Sequence, residues 1–275
     1  MFYTHWFKQL NIRELEKTLC QLLLTSILEE VSYTRKDGQY LKWDYRSAKV
    51  QNRIAQRKKP AKKIDFGPIS TVKEVLLRAF STVITDITKL QTFSLRQSHQ
   101  TLIKGNTLLT LPTLEANQFA GVITSPPYCN RYDYTRTYAL ELAYLNTTQT
   151  LRDLRQNLLS CTVENRSKLS LLKNHYHALG QNARYQHILS VVQNNAAFRE
   201  INHALQIRWQ RGEMNNNGVL TMVEQYFTEL TFVFAEIFRT IQSKAYVAFV
   251  NDNVRYGGNN TGRFVEYAFG GKLGF

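Results

Sequence analysis

Apolar residues recur at three- and four-residue spacing through residues 5–31, where Leu15, Leu19, Leu22, Leu23, Ile27 and Leu28 fall on one side. That period predicts an amphipathic helix. Residues 69–96 repeat the pattern with Val72, Val75, Leu76, Ala79, Val83, Ile84 and Ile87 and predict a second helix. Between them, Ser32 to Tyr40 reads as a turn with Asp37-Gly38 at its tip. Residues 135–145 predict a further helix, with Tyr138, Leu142 and Leu145 sharing a face with Ala139. Residues 219–241 predict a long one carrying Leu220, Val223, Phe227, Leu230, Phe234 and Ile237.

Short apolar runs predict strands. Thr101 to Asn106 reads as a strand ending in a turn, Thr113 to Asn117 as a helical turn, and Phe119 to Thr124 as the next strand. Strand, short helix and strand in that order are a βαβ rhythm, which argues a parallel sheet. Ala245 to Val250 is a further buried strand, broken at its carboxyl end by Asn251-Asp252-Asn253. The stretch 147–218 is polar, free of proline and helical in pattern. It reads either as an insertion that recognises a target or as an ordinary helical subdomain. The expected class is therefore α/β.

The strand at 119–124 runs into Thr124-Ser125-Pro126-Pro127-Tyr128. Prolines cannot donate to a ladder, so the strand must stop in a stiff turn. Ligands gather at the carboxyl ends of strands in open α/β sheets. There Ser125 and the Pro126 carbonyl can accept hydrogen bonds from an amino group, and Tyr128 offers a stacking face.

Composition narrows the picture. The chain has 275 residues, 35 Lys and Arg against 21 Asp and Glu, and a formal net charge of +14. Such an excess suits a polyanionic partner, because neutralised phosphates release counterions. Its densest part is 46–63, with Arg46, Lys49, Arg53, Arg57, Lys58, Lys59, Lys62 and Lys63 beside Tyr40, Trp43 and Tyr45. Basic and aromatic residues together suit phosphate contact and base stacking; a solvated linker is the other reading. No apolar run approaches the roughly 18 residues of a membrane span, and no signal peptide is evident. Cys20, Cys129 and Cys161 are too widely spaced for a metal set or a disulfide framework, which fits a reducing cytoplasm.

Thr-Ser-Pro-Pro-Tyr resembles the motif of S-adenosylmethionine-dependent DNA amino-methyltransferases of restriction–modification systems, and its serine form resembles the cytosine-N4 branch. Gly105-Asn106-Thr107-Leu108, Leu111-Pro112, Asn130 to Tyr134 and Val250 to Asn253 are similar to flanking segments of the same family. The resemblance implies a Rossmann-like sheet, methyl transfer to the exocyclic amino group of a flipped base, and Ser125, Pro126, Pro127 and Tyr128 as catalytic residues. It implies S-adenosylmethionine near Gly105, Asn106 and Thr124 and double-stranded DNA as substrate; Arg131, Tyr132 and Arg136 just past the loop and Lys58 and Lys59 of the basic segment are the expected phosphate contacts. An RNA or tRNA base methyltransferase and a catalytically inactive DNA-binding fragment are the alternatives.

The family's Phe-x-Gly-x-Gly cofactor turn has no counterpart here, nor has the acidic residue for the ribose. The expected organisation is thus partial. Residues 1–100 form a helical region, 101–146 and 219–256 the catalytic core, 147–218 the insertion and 257–275 a divergent tail. A cofactor-binding half encoded separately is expected as a partner, as is a cognate restriction endonuclease; a permuted order with the turn beyond Phe275 is the rival.

Overall fold

The computed structural model describes residues 12–37, 40–56, 67–93, 98–145, 150–214 and 216–251, with the backbone of 255–256 and 259–260. The chain divides into two units, residues 1–101 with 134–148, and residues 102–133 with 149–275.

In the first unit the opening apolar repeat forms α1 (Glu14–Ile27), but its buried side is Cys20, Leu23, Leu24 and Ile27, while Leu15 and Leu22 of the expected face are exposed. Residues 5–11 of the expected helix lie outside the described residues. The expected turn at 32–40 proves to connect a small antiparallel hairpin, β1 (Thr34–Lys36) and β2 (Leu41–Trp43), with Arg35 opposite Lys42. Three-residue strands are too short to display alternation. A short helix α2 (Ala48–Ala55) follows, its first turn capped by the Ser47 hydroxyl. Helix α3 (Val72–Gln91) begins at a capping box: Thr71 Oγ1 accepts from the Glu74 amide at 3.3 Å while Glu74 Oε2 accepts from the Thr71 amide at 3.1 Å. Its Val75 and Leu76 close a core with Leu23, Leu24 and Ile27 of α1. The later turns of α3 leave Ile84, Ile87 and Leu90 exposed.

The helix expected over 135–145 is two helices, labelled α5 (Tyr134–Thr137) and α6 (Ala139–Tyr144) with α4 preceding them in the other unit. The break falls at Tyr138, whose φ of −97° and ψ of 22° are not helical. Its ring lies 4.3 Å under Lys36 Nζ, and that ammonium also pairs with Glu141.

The second unit contains α4 (Thr107–Thr110), a 3₁₀ turn (Leu111–Thr113), β3 (Phe119–Thr124), α7 (Leu151–Asn157), α8 (Leu169–Ala178), α9 (Asn182–Asn194), α10 (Ala196–Gln210), α11 (Gly218–Thr240) and β4 (Ile241–Phe249). Residues 101–104 do not form the expected strand. Leu102 is 95% exposed, no strand lies beside it among the described residues, and a strand without a ladder is not held. The expected helical turn at 113–117 likewise sits earlier, at 107–113. The parallel pair is instead β3 with β4, separated in sequence by the helices between them. The fold is thus mixed α/β.

Helix α11 is the core of this unit. Val219, Met222, Val223, Tyr226, Phe227, Leu230, Phe232 and Val233 are all buried, so its apolar band wraps well beyond one stripe. Phe232 meets Tyr176 of α8 at 5.7 Å and Tyr185 of α9 at 5.5 Å between ring centres, and Phe227 meets Phe198 of α10 at 6.4 Å. Two carboxylates are buried on the same helix. Glu229 takes the Lys168 ammonium at 3.0 Å and the Ser160 hydroxyl at 2.6 Å. Glu236 takes the Tyr176 hydroxyl at 2.7 Å, Arg184 at 3.1 Å and Arg239 at 2.6 Å. Burial pushes the Glu229 carboxyl above the ordinary carboxylate range, against the pull of Lys168 and Ser160.

Lys168→Met leaves Glu229 buried with only a hydroxyl and an amide. It should lower the unfolding free energy by about 3–5 kcal/mol, and Lys168→Met with Glu229→Leu should recover most of that loss. Urea denaturation of the two variants beside the wild type measures both; equal losses would remove the ion pair from this account.

Candidate functional site

The site begins where β3 can go no further. Thr124 is level with Phe249 of β4, and its carbonyl accepts from the Val250 amide at 2.9 Å. Pro126 and Pro127 then offer no donor, so the ladder ends and the chain leaves the sheet. The other end of β3 is stitched to α11: the Asn117 and Gln118 amides donate to the carbonyls of Arg239 and Thr240 at 3.0 and 2.7 Å. Asn117 makes that turn at a φ of 56°. The strand end is therefore fixed along its whole length by α11 and β4.

Beyond it the loop folds on itself. Ser125 is exposed, and its hydroxyl lies 3.0 Å from the Tyr128 hydroxyl. Pro126, Pro127 and Tyr128 are half-buried. The Asn130 amide donates to the Tyr128 carbonyl at 2.8 Å, and Asn130 Oδ1 accepts from the Tyr132 amide at 3.0 Å. This side-chain turn carries Arg131 at a φ of 64° and presents it to solvent. Below the loop, Cys129 and Asp133 are buried, and Asp133 pairs with Arg155 of α7 at 2.8 Å. The Cys161 thiol points at the Tyr132 carbonyl at 3.5 Å.

These two cysteines have no nucleophilic character. Burial pushes the Cys129 thiol far above its ordinary range and the Cys161 thiol up to about 12. Thiolate chemistry needs the opposite shift. The loop instead offers the Ser125 hydroxyl and the Tyr128 phenol, with the exposed Arg131 beyond them.

Strand pairing adds a group that the sequence did not single out as a site residue. Thr124 opposite Phe249 puts Asn251 just past the end of β4, beside the loop. Asn251 Oδ1 is shielded from solvent and accepts no hydrogen bond. The signal in the sequence was only that Asn251-Asp252-Asn253 breaks a strand at its carboxyl end; Asp252 and Asn253 lie outside the described residues.

The remaining candidates divide. Thr124, Ser125, Pro126, Pro127, Tyr128, Arg131 and Tyr132 form one continuous segment. Gly105 and Asn106 are in the same unit but have structural duties. Asn106 caps α4, accepting from the Leu108 amide at 3.0 Å, and its own amide donates to the Asn157 carbonyl at 3.0 Å. A Cβ on Gly105 would meet the Thr110 hydroxyl, which packs against the glycine. Arg136 lies on α5 of the first unit, and Lys58 and Lys59 lie outside the described residues. The basic and aromatic residues near them partly serve one another: Arg46 pairs with Asp44 at 2.8 Å, and Lys49 lies 5.2 Å over Trp43. Among the described residues no cluster of His, Cys, Asp and Glu could hold a metal, and no helix is long and apolar enough to cross a membrane.

All three cysteines are buried and have raised thiol pKa values. Native protein at pH 8 should take up iodoacetamide at Cys129 and Cys161 at least tenfold more slowly than urea-unfolded protein. Mass spectrometry of the labelled peptides reads this; fast native labelling of Cys129 would reopen a thiol at the site.

No protein-family model matches the chain, and no solved structure matches it. Curated relatives do. Type II methyltransferase M.BsoBI of Geobacillus stearothermophilus is 55% identical over 265 residues, a match that covers 94% of this chain and 52% of the relative. Type II methyltransferase M.AvaI of Nostoc sp. strain PCC 7120 is 39% identical over 250 residues, covering 89% of this chain and 48% of the relative. M.AvaI of Anabaena variabilis matches to the same extent. The chain is therefore homologous to the Type II methyltransferases, similar to them along nearly all of its own length while spanning about half of theirs.

Proposed function

We propose that this chain carries the target-base side of a DNA amino-methyltransferase of the restriction–modification type, acting on cytosine N4 in double-stranded DNA. The observation that carries the reading is Ser125-Pro126-Pro127-Tyr128 at the carboxyl end of β3, with Asn251 beside it at the end of β4, in a chain homologous to Type II methyltransferases. A Rossmann-like arrangement of the sheet and a cytoplasmic setting go with it.

An exocyclic amino group is a weak nucleophile because its lone pair is delocalised into the ring. Ser125 Oγ and the Pro126 carbonyl would accept its N–H bonds and hold the nitrogen with its lone pair directed away from the ring plane. The base would reach them only after leaving the duplex, and Tyr128 would then stack on it. The 3.0 Å contact between Ser125 and Tyr128 ties the position of the ring to that of the acceptor hydroxyl. Arg131 and Tyr132 would grip the flanking phosphates. Catalysis of this kind is orientation, with no strong base required.

S-adenosylmethionine is the methyl donor that the reading implies, and the described residues do not by themselves fit it. No glycine turn approaches the sheet, Asn106 spends both ends of its amide on α4 and Asn157, and Gly105 is filled against Thr110. No step is assigned through the donor for that reason.

Expression in a host whose DNA lacks N4-methylcytosine tests the proposal, with the chain produced alone and together with the unmatched half of M.BsoBI. Nucleoside mass spectrometry should find N4-methylcytosine in at least the second case. Ser125→Ala should lower it by roughly 10- to 100-fold, the effect of losing one hydrogen bond of about 1.5–3 kcal/mol. N6-methyladenine would correct the base, and unmodified DNA in both cases would leave the chain a DNA-binding relative without this activity.

A further inference from the structure

Helix α10 is held firmly on one side and carries an unengaged stripe on another. Its inner side buries Phe198 and Leu205, and Phe198 meets Phe227 of α11 at 6.4 Å between ring centres. Asn195 caps its start, with Oδ1 accepting from the Phe198 amide at 2.9 Å. Its end is tied by Arg208, which pairs with Glu213 at 2.8 Å, and by Trp209 Nε1, which donates to Asn217 Oδ1 at 3.2 Å. Arg199, His203, Gln206 and Gln210 follow one another at steps of four, three and four residues. At the pitch of an α-helix they fall within about 60° of arc and form one stripe along the axis. All four are exposed, and their side chains make no hydrogen bond or ion pair among the described residues.

The chemistry of the stripe is selective. It consists of a guanidinium, an imidazole and two carboxamides, with no carboxylate and no apolar side chain. An ordinary solvated helix face mixes charges of both signs, as on α3, where Lys73, Glu74, Arg78 and Asp86 are all exposed. Arg155, Arg184 and Arg239 of the same unit serve carboxylates of the fold, whereas Arg199 serves none. Guanidinium and carboxamide are the groups whose paired atoms match base edges in the major groove: Arg gives two bonds to guanine O6 and N7, and Gln exchanges two with adenine N6 and N7. That groove, about 12 Å wide, admits an α-helix. The start of α10 is also tied to the loop at the end of β3. Phe227 lies two residues before Glu229, Glu229 holds Ser160, and the neighbouring Cys161 thiol points at the Tyr132 carbonyl.

We propose that α10 reads DNA sequence, lying in the major groove with Arg199, His203, Gln206 and Gln210 directed at base edges. This rests on the reading of the chain as one that acts on double-stranded DNA, and it adds the residues that choose the site. The stripe carries no charge that the phosphates flanking the groove would repel, and Arg199 adds one that they attract. The bonds that fix α10 at both ends and along its inner side hold the four side chains in one register, as discrimination between bases requires.

The full chain is used to select from a pool of randomised DNA duplexes, and the recovered duplexes are sequenced. One pattern of bases should be enriched. Arg199→Ala and Gln206→Ala should each relax the preference at one position. Each should weaken binding of the preferred duplex by roughly 5- to 150-fold, and of a scrambled duplex by less than about threefold. Gln206→Glu should move the preference at its position toward cytosine, whose N4 amino group donates to a carboxylate. Lys173→Ala, at an exposed position on α8, should leave the enriched pattern as it is. All four variants should unfold at the wild-type urea midpoint, because the replaced side chains are exposed. Failure to enrich any sequence would overturn the proposal. So would a pattern that the α10 variants leave unaltered, an equal loss for preferred and scrambled duplexes, or tighter binding of duplex RNA, whose major groove is too narrow for side chains to read. The selection reads binding alone, so an altered pattern without N4-methylcytosine would leave α10 as the reader and remove only the proposed chemistry.

Discussion

Helix α11 carries two carboxylates into the interior, and the larger unit is arranged to neutralise them. Glu229 and Glu236 are seven residues apart, two turns on one side of the helix. A buried carboxylate without partners would cost several kcal/mol. Each therefore dictates what packs against it: Glu229 requires Ser160 and Lys168 at the start of α8, and Glu236 requires Tyr176 of α8 and Arg184 of α9. Buried ion pairs of this kind add little net stability over apolar packing. Their role here is to permit one arrangement of the helices, since any slip would strand a charge.

The site inherits its position from that arrangement. Helix α11 runs into β4 without a loop, so fixing the helix fixes the strand. Strand β3 is then stitched to the end of α11 at one end and to Val250 at the other. The prolines release the chain at a determined point, and the Asn130 turn with the buried Asp133–Arg155 pair anchors the loop from below. The result is a loop whose hydroxyl and carbonyls are held on a fixed base at the end of β3.

The 35 Lys and Arg overstate the side chains open to a polyanion, although pairs with carboxylates are already cancelled in the net charge of +14. Arg155, Arg184 and Arg239 serve buried carboxylates, Arg46 serves Asp44, and Lys49 covers Trp43. A count of basic residues cannot separate charges that hold the fold from charges that face a partner, because the two look alike until their neighbours are placed.

Long periodic segments were legible in the sequence, because a helix that buries one face writes the spacing of that face into the chain: α1, α3 and α11 follow their apolar repeats, and α7 to α10 fill the polar stretch between. So was the proline-bounded exit from β3, since the missing donors end a ladder wherever it pairs. That exit places Ser125, Pro126 and Tyr128 at the carboxyl end of β3 for the same local reason. Pairing was not legible. Leu102 and Ile103 have strand-like side chains but no ladder, the helix expected over 135–145 breaks at Tyr138, whose ring meets a lysine a hundred residues away, and Asn106 caps α4. Strand partners, ring–cation contacts and buried charge pairs are made between residues far apart in sequence, and their energy depends on distance in space. Only the tertiary structure could decide that β3 lies beside β4, that Asn251 follows the end of β4 level with the exit from β3, and that Ile123 and Tyr246 are left exposed.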